Sequence, residues 1–437
     1  MSHQQELPQT INVLTLNCWG LKFLATLRKE RLSEIGRRIA TADPVPEIVG
    51  LQECWTQEDY QSIRTQTRNL LPHGKFYHSG IFGGGLAILS RWPIEESSMV
   101  RYPLNGRPTA FFRGDWFVGK GVACARIRIG PATHDVAEVF TTHLHAPYER
   151  EPHDSYICHR TAQAWEIAKL MRGAAERGHL VIALGDFNMT PSSLAYRLIT
   201  AHAPVSDAWR VLHPASSLGA WNDAAERSRR QPMPSAAHNL AENGTTRPRP
   251  HPPSPHWRVR SAKVGMTAPH PALACSLSDH FSVEAVLARA PVPPGEKPRP
   301  VSPGSPPPPA PPLAPDAYAA ILAMVATYTL RERRQRRLRL AHFAASVLVS
   351  VGCLAGVWWV RGNAVAFGLM LVSTLGLGAG VVDGMIGGLF VGSELRALRE
   401  FEWEIGESKK AIIYPKTRFQ PPDSAPIRGA HPSKKKR

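Results

Sequence analysis

Two apolar runs, Leu340–Val360 and Ala364–Val391, stand with only Arg361-Gly362-Asn363 between them. Each is long enough to cross a bilayer, which takes about 20 apolar residues. Three residues suffice for a minimal turn, so the spacing predicts a transmembrane hairpin. A buried core hairpin is the alternative, but nothing C-terminal to it could cover so much apolar surface. Six arginines crowd Arg331 to Arg339 beside the first run, and Lys434 to Arg437 follow the second. Basic flanks stay on the cytosolic side, which predicts a multi-pass protein with its remaining mass in the cytosol. In the second run Gly376, Gly380, Gly384 and Gly388 recur every four residues, a stripe that admits a closely packed helix. Asp383 on the same run is either functional or turned toward the partner helix.

The 437 residues leave room for one domain of about 250–300 residues plus appendages. A net charge of +17 favours anionic partners, nucleic acid or an acidic membrane surface. Because the densest basic cluster flanks the hairpin, anionic phospholipid is the expected partner and nucleic acid is not; a juxtamembrane charge contributes about 1 kcal/mol there. A topology signal that binds nothing specific is the other reading of the same cluster. The six cysteines, Cys18, Cys54, Cys124, Cys158, Cys275 and Cys353, lack C-x-x-C spacing, so neither a zinc site nor a disulfide framework is expected. The polar start MSHQQELPQT has no apolar h-region of a secretory signal.

Between residues 11 and 290 the sequence reads as alternating strands and helices. Ile11–Leu16, Ile48–Gln52, Gly85–Ser90, Val122–Ile129, Val136–Thr142 and Leu180–Gly185 are short apolar or alternating runs that predict strands, while Arg28–Ala42 and Arg160–Gly178 have helical periodicity. Residues 213–262, rich in Pro, Arg, Ser and Asn, read as a long loop. The expected organisation is a catalytic domain over 1–290, a Pro-rich extended spacer over 291–315, an amphipathic and basic juxtamembrane segment over 316–339 with Asp316–Thr329 helical, the two spans, and a basic cytosolic tail over 392–437.

Five short polar signatures are distributed along this domain: Leu16-Asn17-Cys18-Trp19-Gly20, Leu51-Gln52-Glu53, Thr142-His143-Leu144-His145, Gly185-Asp186-Phe187-Asn188 and Ser278-Asp279-His280-Phe281. All are placed at C-terminal ends of strands, where loops converge into sites. An amide, a carboxylate, a histidine, an Asp-x-Asn pair and an Asp-His pair supply what phosphodiester hydrolysis needs: a cation to neutralise charge, a base for water, and donors to the phosphoryl oxygens. Glu53 is the natural magnesium ligand, since that ion takes one or two carboxylates and keeps several waters. Asn17 orients the metal or donates to phosphate. Asp186 and Asn188, two apart after a strand, both point into the site. His280, able to titrate near neutral pH, is the base candidate; His143 donates to a phosphoryl oxygen or protonates the leaving group; Asp279 orients a histidine or the attacking water. His145 is expected on the opposite side of its strand, and His78, His134, His153 and His159 to be structural. Gly114–Gly121 has the look of a phosphate-binding loop, but Gly121 stands where that motif needs Ser or Thr, so nucleotide binding is not expected.

The same signatures resemble the endonuclease/exonuclease/phosphatase superfamily, and T-H-L-H-A at Thr142–Ala146 followed by Pro147-Tyr148, with the N-C-W-G-L start, is similar to its neutral sphingomyelinase and inositol phosphosphingolipid phospholipase C branch. The resemblance covers about residues 10–290 and implies a DNase I-like four-layered α/β sandwich followed by the two-helix hairpin. It implies a magnesium-dependent phospholipase C acting on a sphingolipid substrate, with Asn17 and Glu53 at the metal and His280, His143, Asp279, Asp186 and Asn188 catalytic. It adds Asp115 and Lys120, on a mobile loop that brings the lysine to the substrate phosphate or pairs it with the aspartate. It also implies an endoplasmic reticulum or mitochondria-associated membrane. One departure stands out. A K-R-[ILV]-D-Y strand expected before S-D-H is not found, and Pro252–Trp257 runs directly into Arg258-Val259-Arg260-Ser261. A missing core strand, with its supporting aspartate, is therefore expected, and with it the alternative of an inactive membrane scaffold. A nuclease or phosphoinositide phosphatase is the other alternative on this fold.

Overall fold

The structure is a computed structural model that describes residues 6–149, 153–214, 257–289 and 313–414. Most of the expected long loop, the Pro-rich spacer and the Lys434–Arg437 cluster lie outside the described residues.

Among the described residues ten strands form two stacked sheets. The first has the order β3 (His73–Tyr77), β4 (Leu86–Ser90), β2 (Ile48–Gln52), β1 (Thr10–Asn17), β10 (Ser282–Arg289) and β9 (Trp257–Gly265). The second has the order β5 (Ile94–Arg101), β6 (Gly121–Arg128), β7 (Val136–His143) and β8 (Leu180–Asp186). Strand side chains alternate between faces, and β1 uses both: Ile11 and Val13 enter the core between the sheets, while Leu14 and Leu16 join the outer core beneath α1 (Arg28–Ala40) and α2 (Gln57–Thr67). Ala125, Ile127, Val139 and Ile182 meet Ile11 and Ile48 in the central layer. Helix α3 (Ile157–Glu176) joins β7 to β8, α4 (Leu194–His202) and the short α5 (Ala208–Leu212) follow β8, and α3 and α4 cover the outer face of the second sheet through Trp165, Ile167 and Leu198. Each fully buried Leu or Ile contributes about 1.5–3 kcal/mol, so both faces of both sheets are tied to their layers. The four-layered α/β sandwich is present.

The strand thought missing is also present. Trp257–Gly265 pairs antiparallel with β10 along its length, with a bulge where the register shifts between Val286 and Leu287. It lies at a sheet edge and carries no aspartate. Likewise Asp279-His280 does not follow a strand but precedes β10. Because β10 runs antiparallel to β1, its beginning lies beside the end of β1.

The membrane-proximal part departs from the expected segmentation. Juxtamembrane helix, arginine cluster and first apolar run form one continuous helix, Pro315–Val357, of 43 residues, about 65 Å long at 1.5 Å per residue. No Gly or Pro interrupts residues 316–351, and Arg, Leu and Ala are strong helix formers. Its first half packs on the sandwich through Tyr318, Ile321 and Val325. The second apolar helix, Asn363–Met385, passes through a π-turn at Ile386–Phe390 into a third helix, Val391–Ile413. That third helix was expected to be part of a basic cytosolic tail. Instead Leu398, Phe401 and Ile405 are buried in the same core as α3, and Glu404 binds Lys169 at 2.8 Å. The two apolar helices pair as a hairpin. A side-chain carbon at Gly380 would lie 2.4 Å from Ser346, and one at Gly384 2.9 Å from the Phe343 ring, whereas Gly376 faces open space. Asp383 turns to the long helix, pairing with Arg339 and with His342 at 2.8 Å.

Candidate active site

Register builds the site. β1 runs parallel to β2 with Asn17 opposite Gln52, and β7 runs parallel to β8 with His143 opposite Asp186. Gln52 ties the two sheets at this end by donating to Thr141 Oγ1 at 2.9 Å. Two glycines are dictated by close approach. A side chain at Gly20 would meet the Glu53 carbonyl at 2.2 Å, and one at Gly185, where φ is +147°, would meet the Thr142 carbonyl at 2.3 Å. The glycines of N-C-W-G and G-D-x-N thus let neighbouring strands bring their terminal side chains together.

Asn17, 4% exposed, is the hub. Its Nδ2 donates to Glu53 Oε1 at 3.1 Å and to Asp186 Oδ2 at 3.0 Å, while its Oδ1 accepts from the Trp19 backbone N–H at 3.0 Å. His143 stands 4.0 Å from Glu53 and 3.6 Å from Asp186. His280 Nε2 lies 3.6 Å from the same Asp186 oxygen and 3.8 Å from Asp279 Oδ1. Asn188 closes the turn through its N–H to Asp186 Oδ1 at 3.1 Å, and its side chain donates to the Leu144 carbonyl rather than into the pocket. Ser278, part of the closing signature but given no role from sequence, fixes the far side. Its hydroxyl donates to the Asn17 carbonyl at 2.6 Å and accepts the His280 N–H at 3.1 Å.

Burial sets the charges. Desolvation raises the Glu53 carboxyl above the usual range, against the hydrogen bond from Asn17. Burial also acts to raise Asp186, but the neighbouring His280 imidazole, with the Asn17 amide and the Asn188 N–H, outweighs it and holds the carboxylate ionised. His143 is pushed well below the ordinary imidazole range by burial and by the Lys120 ammonium, so it is neutral near pH 7 and offers one N–H. Glu53 itself has φ +53°, a backbone region that non-glycine residues hold only when their surroundings force it.

Lys120 is not on an exposed loop. It is 6% exposed, and its Nζ donates to the carbonyls of His143 and Leu144 at 3.2 and 3.3 Å. Burial lowers its pKa, opposed by Asp115, Glu53 and Asp186. Asp115 stands apart from the carboxylate cluster, 3.7 Å from His145 Nδ1. His145, expected on the opposite side of its strand, lies instead past the end of β7; it is fully buried and stacks on Tyr156 at 4.8 Å and His159 at 5.5 Å. From His159 the polar chain continues to Glu394 at 3.3 Å, which links the site's outer layer to the helix beyond the hairpin. Nothing in the spacing of these residues signalled that chain, because its members meet only in the fold.

A divalent cation was expected at Asn17 and Glu53. The donor set fits one: Glu53 Oε2 is buried and has no hydrogen-bond partner among the described residues, leaving a carboxylate oxygen free inside the pocket. No cluster of three His, Cys, Asp or Glu ligands occurs among the described residues, so the ion would be of the kind that keeps most of its waters, as magnesium does.

The sequence profile of the Endonuclease/Exonuclease/phosphatase family matches residues 14–310. This chain belongs to that family. Over 91% of its length it is 37% identical to the inositol phosphosphingolipids phospholipase C of Schizosaccharomyces pombe, of which it covers 94%. It is 34% identical to sphingomyelin phosphodiesterase 2 of Rattus norvegicus over 46% of each chain. In structure it resembles a Staphylococcus aureus beta toxin variant with bound magnesium ions at a TM-score of 0.42 and 16% identity, over 63% of this chain and 98% of that one.

Proposed function

We propose that this protein is a membrane-anchored, magnesium-dependent phospholipase C that hydrolyses phosphosphingolipids, sphingomyelin or inositol phosphoceramide, to ceramide and a phosphorylated head group. The observation that carries the reading is the convergence of Asn17, Glu53, His143, Asp186 and His280 from five separate segments on one pocket. The names of its relatives support the substrate class.

Glu53, with Asn17 beside it, would hold the magnesium, which when bound supplies positive charge to the phosphoryl oxygens and the departing alkoxide. The chain's own residues do the rest. His280 takes a proton from the water that attacks phosphorus. Asp186, and Asp279 behind it, stabilise the imidazolium that forms, since carboxylates within about 4 Å favour the charged form. The new bond joins the water oxygen to phosphorus, the bond to the ceramide oxygen breaks, and that alkoxide takes up a proton from solvent while the His280 imidazolium releases its own. Neutral His143 donates its N–H to a phosphoryl oxygen. Asn17 keeps Glu53 and Asp186 apart and both oriented, and buried Lys120 fixes the β7 end that carries His143 while adding positive potential.

Two helices have the length and apolarity to cross a membrane, Pro315–Val357 and Asn363–Ile413, and only 11% of each apolar stretch is buried. This supports an anchor. Arg333, Arg334, Arg336 and Arg337 are exposed on the long helix, which suits anionic phospholipid, whereas Arg331 stacks on Tyr328 and Arg339 is taken up by Asp383. Under this reading the sandwich faces the cytosol, and the anchor holds it in an endoplasmic reticulum or mitochondria-associated membrane. The test is incubation of the full chain in mixed micelles with either lipid, with and without magnesium. Magnesium-dependent release of ceramide is expected. Release of inorganic phosphate would point to a phosphatase, and lipid binding without turnover would point to a scaffold.

A further inference from the structure

The rim beside the pocket exposes large apolar side chains that the chemistry does not use. Phe111 and Phe112 are 50% and 76% exposed, and Ile81 and Phe82 are 71% and 61% exposed. They belong to two loops that form one surface. The backbone N–H groups of Ile81 and Phe82 both donate to the Phe117 carbonyl at 3.2 Å, and the rings of Phe82 and Phe117 lie 5.7 Å apart. Clustered apolar exposure of this kind marks an interaction site.

The same surface is tied to both roots of the apolar hairpin. Arg339, the last arginine before the first apolar run, donates from Nη2 to the Thr109 carbonyl at 3.1 Å. Trp116 stacks on Phe390, where the second apolar helix ends, with ring centroids 4.3 Å apart. The loop at residues 107–117 therefore sits at the level where both spans emerge, and Phe111 and Phe112 project from it two and three residues past Thr109. Phe23 and Leu24, in the loop that leaves β1 just beyond Asn17, add further apolar exposure of 90% and 75%.

We propose that the loops at residues 79–83 and 107–117 form an interfacial platform that sinks Ile81, Phe82, Phe111 and Phe112 into the head-group and acyl boundary of the bilayer holding the hairpin. The occupant of this surface is lipid because the surface is continuous with the spans. A loop pinned to both span roots cannot lie far from the membrane plane, and aromatic side chains partition favourably into that boundary. The platform leads directly into the site: Lys120 follows Phe117 by three residues and holds the strand end of His143. The inference rests on the membrane reading above and deepens it, by giving the pocket a fixed depth relative to the lipid phosphodiester.

The test uses the full chain in lipid nanodiscs, with the partly exposed Cys124, Cys275 and Cys353 replaced by serine. An environment-sensitive fluorophore is attached to a cysteine at position 112, and to one at position 134, where the native histidine side chain is 77% exposed in the β6–β7 turn. Blue-shifted emission at 112, quenched by spin-labelled lipid, with aqueous emission at 134, is the expected result. Water-like emission at 112 overturns the platform, and so does a blue shift already present in lipid-free detergent and insensitive to spin-labelled lipid, which would mean that a second copy covers the patch. A kinetic arm uses the Phe111→Ser/Phe112→Ser variant. Turnover of bilayer substrate should fall by about tenfold or more, the scale of losing one buried aromatic contact, while a short-chain, monomeric substrate is hydrolysed at the parent rate. Equal losses on both substrates would contradict the proposal. The fluorescence readout does not depend on hydrolysis, so failure of the enzymatic reading leaves it intact.

Discussion

Replacing Glu53 by glutamine should make this protein more stable and much less active. Glu53 is a buried carboxylate whose charged form is disfavoured by desolvation, with one oxygen lacking any hydrogen-bond partner among the described residues. A buried polar atom left unpaired costs about 1–3 kcal/mol. Glutamine keeps the oxygen that accepts from Asn17 at 3.1 Å, retains the same left-handed backbone, and removes the charge. Because the glutamine amide N–H groups would occupy the same partnerless place, only the charge penalty is relieved, and the gain should be about 1 kcal/mol or less, roughly 1–3 °C in Tm for a domain of this size. Its pH dependence has a definite sign. The folded-state pKa is raised above the unfolded value, so the parent's penalty is absent at low pH and grows as pH climbs through the raised pKa; the variant's advantage should be present at pH 8 and vanish near pH 4. Magnesium supplies the second readout. Binding at 100 times Kd stabilises by about 2.7 kcal/mol, so magnesium should raise the parent's Tm and leave the variant's nearly unchanged, while ceramide release falls at least about 10³-fold. Differential scanning calorimetry with and without magnesium, alongside lipid hydrolysis, measures all three. A variant that melts lower than the parent at pH 8, or that keeps its magnesium-induced shift, would refute the assignment of Glu53 as a strained metal ligand.

Other perturbations separate the roles of neighbouring groups. His280→Ala should lower kcat by about 10²–10⁴-fold with Tm little changed, since its side chain is 35% exposed; a large loss of stability would make it structural. Lys120→Met keeps the buried stem and removes the ammonium, so turnover should drop by at least about tenfold while the magnesium-induced Tm shift persists; an unchanged rate would remove Lys120 from the reaction. Glu332, fully buried on the long helix 3.6 Å from Arg107, has a pKa raised to about 7 by burial and by Glu394, itself raised to about 7. Because both folded values exceed the unfolded one, the docking of the long and third helices on the sandwich should weaken as pH rises from about 4.5 through 7. Glu332→Gln should then raise Tm at pH 8, by no more than about 3 kcal/mol in stability, and leave it unchanged at pH 5; a loss at pH 8 would mean the carboxylate's pairing with Arg107 outweighs its desolvation.

The parts of this molecule that sequence revealed are those where burial on two faces forces an apolar run. The six expected strands became β1, β2, β4, β6, β7 and β8, each near its anticipated bounds. Three of the four strands not anticipated, β3, β5 and β9, are sheet edges. An edge strand buries less and tolerates charge, as Ile94-Glu95-Glu96-Ser97 and Arg258-Val259-Arg260 illustrate. In β9 a bulge at Arg260, which has no partner between Val259 and Ser261, also breaks the two-residue alternation that would have exposed the pattern. At the site, the signatures at Asn17, Glu53, His143 and Asp186 were legible because a polar residue ending a buried strand has little structural purpose. The Asp115–His145 pair and the link from His159 to Glu394 were not, because their members lie on separate elements that meet only in the fold, His159 and Glu394 being more than two hundred residues apart in sequence. The continuous long helix was readable in principle from the lack of Gly and Pro over residues 316–351; the change in polarity at the arginines hid it.

In the proposed reaction water attacks phosphorus and the ceramide oxygen departs. Hydrolysis of inositol phosphoceramide or sphingomyelin by the full chain in ¹⁸O-labelled water, followed by mass spectrometry of both products, tests it directly. One labelled oxygen is expected in the phosphorylated head group and none in the ceramide hydroxyl. Label in ceramide, or label released only as inorganic phosphate, would contradict it.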